Sequence, residues 1–421
     1  MKYEKINLES YNLHFITTDK FKTTTISVNF REKIKKEEIT IRKFLFQMLC
    51  STSLKYNTNR LFEIKLEDLY SISLGHSNVV FGNLINSYID IKFLNEEFSD
   101  ENLLSDSLDL LFELIFNPNV TDGKFDTKSF NLIKDKIHLI LNSEKENIQK
   151  YTLNRSLELM DKEDPVSFNL WGYKEDLEKI TEENLYKYYK NVLKTNVIDI
   201  FIVGNVDKNK IIKIFKEKFK INTIKNNEFD SFITYDKCPK TIVNEESMNL
   251  KQSKISIILK ALNLNMFERR YVLPLYTSIL GSGGNSRLFQ NVREKNSLAY
   301  TITAVSKIPN SLIMIYGGID ACNYDKALKL IKKEIKLKNV SEEELENAKK
   351  EYISSINILF DSPASIINYY FGIEVFNADE IDEKINNFNK VTVKDIESLS
   401  SKLKIATIYL LKGTYDEENK D

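Results

Sequence analysis

Residues 281–300 hold the side chains best placed for chemistry: Gly-Ser-Gly-Gly-Asn-Ser-Arg-Leu-Phe-Gln-Asn-Val-Arg-Glu-Lys-Asn-Ser-Leu-Ala-Tyr. Arg293 falls near the end of a predicted helix and Tyr300 at the start of a predicted strand. Seven residues apart, the two can converge on one point. Both donate hydrogen bonds, and arginine keeps its charge at any working pH. Gly281, Gly283 and Gly284 permit torsions that other residues avoid, so a turn between two helices is expected. Asn285 or Ser286 can cap the second helix, whose Leu288, Phe289 and Val292 form one apolar face. Arg287 and Arg293 lie off that face. The alternative is a glycine loop that only lets two helices pack closely, and composition alone favours it.

Other reactive side chains are scattered. The three histidines, His14, His76 and His138, lie more than five residues from one another and read as packing or surface residues. Cys50, Cys238 and Cys322 form no CxxC pair, which fits a reducing compartment without structural disulfides. No His or Cys pair has the spacing of a zinc site. With Lys+Arg 60 and Asp+Glu 61 the net charge is -1, so no global field draws nucleic acid or anionic lipid. The lysine-rich run Ile331–Lys338 reads as a solvated helix face. The N-terminus has no signal-peptide core, no apolar run suits a membrane span, and a cytoplasmic protein is expected.

The elements that must position Arg293 and Tyr300 follow from periodicity. Strands are expected at 11–17 and 23–30, as a hairpin, and at 74–81, 86–93 and 197–203. Helices are expected at about 39–53, 60–71, 101–116, 124–148, 150–161, 181–192 and 207–219. The second half repeats this order, with strands at 253–259, 298–306, 311–318 and 405–411. Its helices are expected at about 267–280, 323–336, 341–359, 363–376 and 392–403. The repeat predicts an α+β protein of two similar domains, residues 1–220 and 241–421, each burying one sheet face under helices. The polar, asparagine-rich residues 221–240 read as the linker.

The chain resembles the M16 peptidases, the insulinase, pitrilysin and mitochondrial-processing family. The resemblance rests on Leu280-Gly281-Ser282-Gly283-Gly284, Ser286-Arg287-Leu288-Phe289, Val292-Arg293-Glu294 and Leu298-Ala299-Tyr300. Trp171-Gly172, Leu177 and Ile200–Asp207 support it. It implies two αβ-roll domains of the LuxS/MPP-like metallohydrolase fold, each a mixed or antiparallel sheet covered by helices. Thr17–Thr25 and Leu69-Tyr70 resemble a bacterial zinc-less subgroup associated with 5-aminopentanol modification of elongation factor P, whose members pair with a zinc-bearing M16 protein.

Active members carry H-x-x-E-H on the first long helix. Here Lys43 and Gln47 stand at the histidine positions and Phe46 at the glutamate. The later helix that should supply the third ligand has only Asp135 as a carboxylate between 133 and 142. The chain is therefore expected to bind no zinc. The resemblance implies a non-catalytic subunit of a heterodimeric metallopeptidase. Arg293 and Tyr300 would act in trans on a peptide or unfolded polypeptide at the zinc of a partner M16 subunit. Arg287 is left a structural role. Two alternatives stand beside this: a structural or peptide-binding homologue, including a homodimer, and an enzyme with a displaced metal site.

Overall fold

The computed structural model describes residues 1–99, 103–221 and 231–414. These fall into two compact units. The first comprises Met1–Ser143, Asn169–Asp230 and Asp361–Phe371; the second comprises Glu144–Phe168, Ser231–Phe360 and Gly372–Asp421. Each is an α+β unit with one sheet under helices, as the repeat predicts.

The first sheet contains β1 (Lys2–Asn7), β2 (Asn12–Thr17), β3 (Thr23–Lys33), β4 (Ser73–Phe81) and β5 (Leu84–Leu94). After a short ribbon, β6 (Val120–Thr121) with β7 (Lys124–Phe125), the sheet gains β8 (Val197–Gly204). Its order is β1-β2-β8-β3-β5-β4. The second sheet contains β9 (Ile242–Met248), β10 (Ser253–Ala261), β11 (Thr301–Lys307), β12 (Leu312–Ile319) and β13 (Leu403–Gly413), in the order β11-β12-β10-β13-β9. Reversed, that order reproduces β2-β8-β3-β5-β4 strand for strand. In both sheets the late strand runs parallel to the outermost of these five, β8 with β2 and β13 with β9. The repeat is therefore a repeat of topology, with β1 as an addition to the first copy.

One local expectation fails. The strands 11–17 and 23–30 do not form a hairpin, because β8 lies between them. β8 is Val-Ile-Asp-Ile-Phe-Ile-Val-Gly and every residue of it is buried. A strand apolar on both sides belongs in the middle of a sheet, and this one displaces the short-range pairing. β2 pairs instead with β1, across the turn at Leu8–Tyr11.

The long helix expected at 124–148 stops at Asn142. Asn147 then caps a new helix, Ile148–Met160, by accepting from the Lys150 amide. That helix departs from a division into residues 1–220 and 241–421. Its Leu153, Leu157 and Met160 pack with Ile258, Leu312 and Met314 of the second unit, and Ser156 meets Ser256 at 2.8 Å. In return, residues 361–371 join the first unit, where Tyr370 stacks on Tyr3 and Phe371 lies against Phe201 and Phe81. Most of the expected linker, 222–230, lies outside the described residues. Among the described residues no helix is long and apolar enough to cross a membrane.

Candidate functional site

The helix Ile39–Leu49 carries the three positions where zinc chemistry is expected to be lost. Ten of its eleven residues are buried, because it packs against β3 and β5 on one side and the helix Thr127–Asn142 on the other. Arg42 is buried to 1% exposure and is fully engaged. It pairs with Glu32, and donates to Ser87 Oγ at 2.6 Å, Phe30 O at 2.7 Å and Asn196 Oδ1 at 2.8 Å. A buried guanidinium survives only with such partners.

Lys43 places its ammonium 4.1 Å from the centroid of the Trp171 ring, a cation–π contact. Trp171 is held there by its neighbours. Gly172 has φ +94°, and a Cβ on it would meet Thr40 Oγ1 at 2.5 Å, while Tyr173 N donates to that same oxygen. The preserved Trp-Gly pair thus clamps the start of the helix. Phe46 is wholly buried, its ring edge-on to Phe30 with the centroids 5.5 Å apart. Gln47 is 4% exposed and its Oε1 has no hydrogen-bond partner.

These three residues do not fit a zinc ion. An ammonium repels it, a phenyl ring cannot activate water, and a lone amide oxygen is a weak ligand. The helix Thr127–Asn142 offers no remedy. It turns Phe130, Ile133, Ile137 and Leu141 inward, Phe130 stacks on Phe44, and Asp135 is exposed. Its Lys134 and His138 both reach Glu178, at 3.3 and 2.8 Å.

The other histidines sit on separate strands. His14 is buried in β2, where Nε2 meets Asp199 Oδ1 at 3.1 Å and Nδ1 meets the Tyr3 hydroxyl at 2.9 Å. Arg31 and Asn12 also reach Asp199, which is thereby held well below the usual carboxylate range despite its burial. Sequence spacing gave no sign of this network; it depends on β8 lying beside both β2 and β3.

On β4, His76 pairs opposite Ile89, while Gly75 beside it pairs opposite Asp90 on the other sheet face. Burial lowers His76 to about 4 and raises Asp90 to about 6, where only the Ser27 hydroxyl counters the effect. The signs oppose. Asp90 contributes stability below its ordinary value of 3.8 and loses it as pH rises through about 6. His76 contributes above 6.5 and loses it as pH falls towards 4. Asp90→Asn should therefore raise the thermal midpoint at pH 7.5 by a few degrees and leave it nearly unchanged at pH 4. Calorimetry at the two pH values checks this, and an unchanged midpoint at pH 7.5 would count against it.

The second unit carries the Arg/Tyr stretch. A Cβ on Gly281 would lie 2.6 Å from Ala304 Cβ, so only glycine lets the helix Leu273–Gly281 meet β11. Gly283 turns the chain with φ +83°. The next segment, Leu288–Glu294, is a π-helix, not the α-helix that the spacing predicts. Leu288 and Val292 are nevertheless both fully buried, as expected, and Phe289 is half-buried.

Arg287 is tied inward. It makes a two-pronged contact with Glu344 at 2.6 and 2.9 Å and donates to Lys338 O and Asn339 O. This matches the structural role expected of it. Arg293 and Tyr300 are different. Arg293 lies in the last turn of the π-helix with its side chain 43% exposed, its guanidinium 4.6 Å from the Phe289 ring and 3.5 Å from Glu294 Oε1. Tyr300 immediately precedes β11 and is 57% exposed. Its amide donates to Gly318 O at 2.9 Å, which fixes the backbone, and its hydroxyl donates to Asp320 Oδ2 at 3.4 Å. That hydrogen bond and the Asp320 charge raise the phenol, so it keeps its proton and stays a donor. Asp320 was not foreseen. The register that pairs Thr301 with Gly318 brings it alongside.

The chain is similar to known M16-type proteins. A family profile described as "Peptidase M16 inactive domain" matches residues 179–352. Among relatives, the "Probable inactive metalloprotease YmfF" of Bacillus subtilis is 25% identical over 413 residues, covering 95% of each chain. An "Uncharacterized zinc protease YmxG" of the same organism is 24% identical, over 56% of this chain and 59% of its own. Among solved structures, a conserved protein from Enterococcus faecalis superposes with TM-score 0.90 at 25% identity, covering 99% of each chain. A peptidase M16 inactive domain from Pseudomonas fluorescens superposes with TM-score 0.78 at 16% identity, covering 98% of each, a likeness of fold.

Proposed function

Because this chain is an inactive homologue of M16 peptidases, we propose that it is the zinc-free half of a two-chain peptidase, donating Arg293 and Tyr300 to peptide held by a partner subunit. The contrast between two sets of side chains carries the reading. Lys43, Phe46 and Gln47 are sealed into a core, whereas Arg293, in the last turn of the π-helix, and Tyr300, just before β11, stand on the surface.

The partner's zinc would supply the activated water. This chain's contribution follows from its own donors. Attack on a peptide carbonyl builds negative charge on the oxygen, and a fixed phenol and guanidinium can donate hydrogen bonds to it or to the neighbouring carbonyls. Tyr300 would exchange Asp320 for the substrate, and Arg293 would turn from Phe289 and Glu294 towards it. A cytoplasmic setting belongs to this reading, supported by three unpaired cysteines.

The test is reconstitution. Purified alone, the chain should cleave no peptide. Mixed with an H-x-x-E-H-bearing M16 chain from the same cell, it should form a one-to-one complex on size exclusion, and activity should appear that neither chain shows alone. Absence of both complex and activity sinks the proposal. The similarity to a probable inactive metalloprotease is equally met by a second reading, in which Arg293 and Tyr300 hold an extended peptide without cleavage. Peptide binding by the isolated chain, with no gain on mixing, would select it.

A further inference from the structure

We propose that a lysine-lined groove in the second unit binds an acidic segment of a polypeptide partner. The groove has a volume of about 1230 Å³ and is lined by Lys329, Lys332, Lys333, Lys336, Lys338 and Lys404. Arg287 also borders it, and its carboxylates are Glu334 and Glu397. Seven cations against two anions is a strong local bias in a chain whose net charge is -1. All six lysines are exposed, and among the described residues none of the six is held in an ion pair. Such a concave cluster of one sign focuses its field and attracts the opposite sign.

The backbone beneath the lysines is fixed. Four neighbouring carbonyls accept from side chains of other elements. Ile335 O takes the Tyr276 hydroxyl, Lys336 O the Ser400 hydroxyl at 2.9 Å, and Lys338 O and Asn339 O the Arg287 guanidinium at 2.7 and 3.0 Å. Within this turn Leu337 has φ 36° and Asn339 φ 53°, the left-handed region that non-glycine residues avoid. Leu337 is fully buried, so its side chain anchors the strained turn. Lysines 336 and 338 therefore project from a rigid ridge, which reduces the ordering cost of binding.

The occupant follows from the remaining lining. Ile335, Leu337 and Leu403 are buried, so apart from the half-buried Ile405 the accessible lining is charged or polar, which suits a polar polypeptide segment. No aromatic ring lines the groove for base stacking, and Glu334 and Glu397 interrupt the positive track that a nucleic-acid backbone needs. The single arginine, the residue suited to gripping a phosphate with two prongs, already grips Glu344. Separate carboxylates on a peptide can meet the lysines one by one and pass the two glutamates.

The test uses the full-length chain and a short fluorescein-labelled oligoglutamate peptide, read by fluorescence anisotropy. Binding should weaken several-fold between about 50 and about 150 mM salt. K332E/K333E/K336E should weaken it roughly tenfold or more. K128E/K213E/K216E, which reverses three exposed lysines of the first unit, should change it less than about twofold. Should the groove variant lose its thermal transition, K336E/K404E replaces it with the same expectation. Equal losses in the groove and control variants overturn the proposal, as does tighter binding of a single-stranded oligonucleotide of equal charge.

Discussion

Tyr300→Phe and Arg293→Gln, each made in the reconstituted two-chain enzyme, should lower kcat on the order of a hundredfold while complex formation and thermal midpoint stay unchanged. The Phe variant removes one hydroxyl and leaves the ring, and Tyr300 is 57% exposed before β11, so no packing depends on that oxygen. The Gln variant removes the guanidinium from a side chain whose contacts, Phe289 and Glu294, are local to its own turn. Arg293→Lys should fall between wild type and Gln, since it keeps the charge and loses the planar fork. The split between kcat and KM tells which atoms the donors meet. Donors aimed at the developing oxyanion depress kcat, whereas donors that only hold ground-state carbonyls raise KM. Unchanged kcat and KM in both variants would remove Arg293 and Tyr300 from the mechanism.

Phe46→Glu, the substitution that would restore the missing base, should instead unfold or nearly unfold the first unit. Phe46 is wholly buried, and removing a core phenyl group costs about 3–5 kcal/mol before any charge is considered. A carboxylate in its place is unpaired, because the adjacent Arg42 is already taken by Glu32 and three further acceptors. Against a total stability of about 5–15 kcal/mol such a loss is severe. Adding Lys43→His and Gln47→His should not rescue a zinc site, since the helix Thr127–Asn142 still turns apolar residues inward. Gln47→Leu provides the control. Its Oε1 lacks a partner, so an apolar residue of similar volume should raise stability by about 1 kcal/mol. Chemical denaturation of the three variants separates the cases. A stable Phe46→Glu protein, or one that takes up stoichiometric zinc with the two histidines added, would show that the motif is dormant and not filled.

Much of this site was legible in the chain itself. Lys43, Phe46 and Gln47 interrupt a motif whose apolar positions, Phe44, Leu45, Met48 and Leu49, are intact, and side-chain chemistry alone shows that zinc has no place there. The glycine stretch before Arg287 was legible as a turn, although only Gly283 takes the left-handed torsion expected of all three glycines, and Gly281 is required instead by its contact with Ala304. What could not be read was set by distant partners. Hairpin reasoning joined β2 to β3, as local signals do, and the competitor was a strand nearly two hundred residues away. β9 was missed because its alternating Ile-Val-Asn-Glu-Glu-Ser-Met carries little apolar signal, and it is held by backbone pairing with β13. The π-turns around Arg293 leave the apolar positions where an α-helix would place them, so periodicity cannot tell the two apart. Asp320 became relevant only through strand register.

The exchange of segments between the units bears on how the chain comes to fold. The helix Ile148–Met160 is synthesised well before the strands β10 and β12 on which it rests, and residues 361–371 follow the sheet they cover by more than 150 positions. The halves of the sequence therefore do not coincide with the compact units. In the first unit, Tyr3, Phe81 and Phe201 lack the ring partners Tyr370 and Phe371 until residues 361–371 have been made. The matching strand orders give the two units one topology, yet each is completed by a segment from outside its own stretch of sequence.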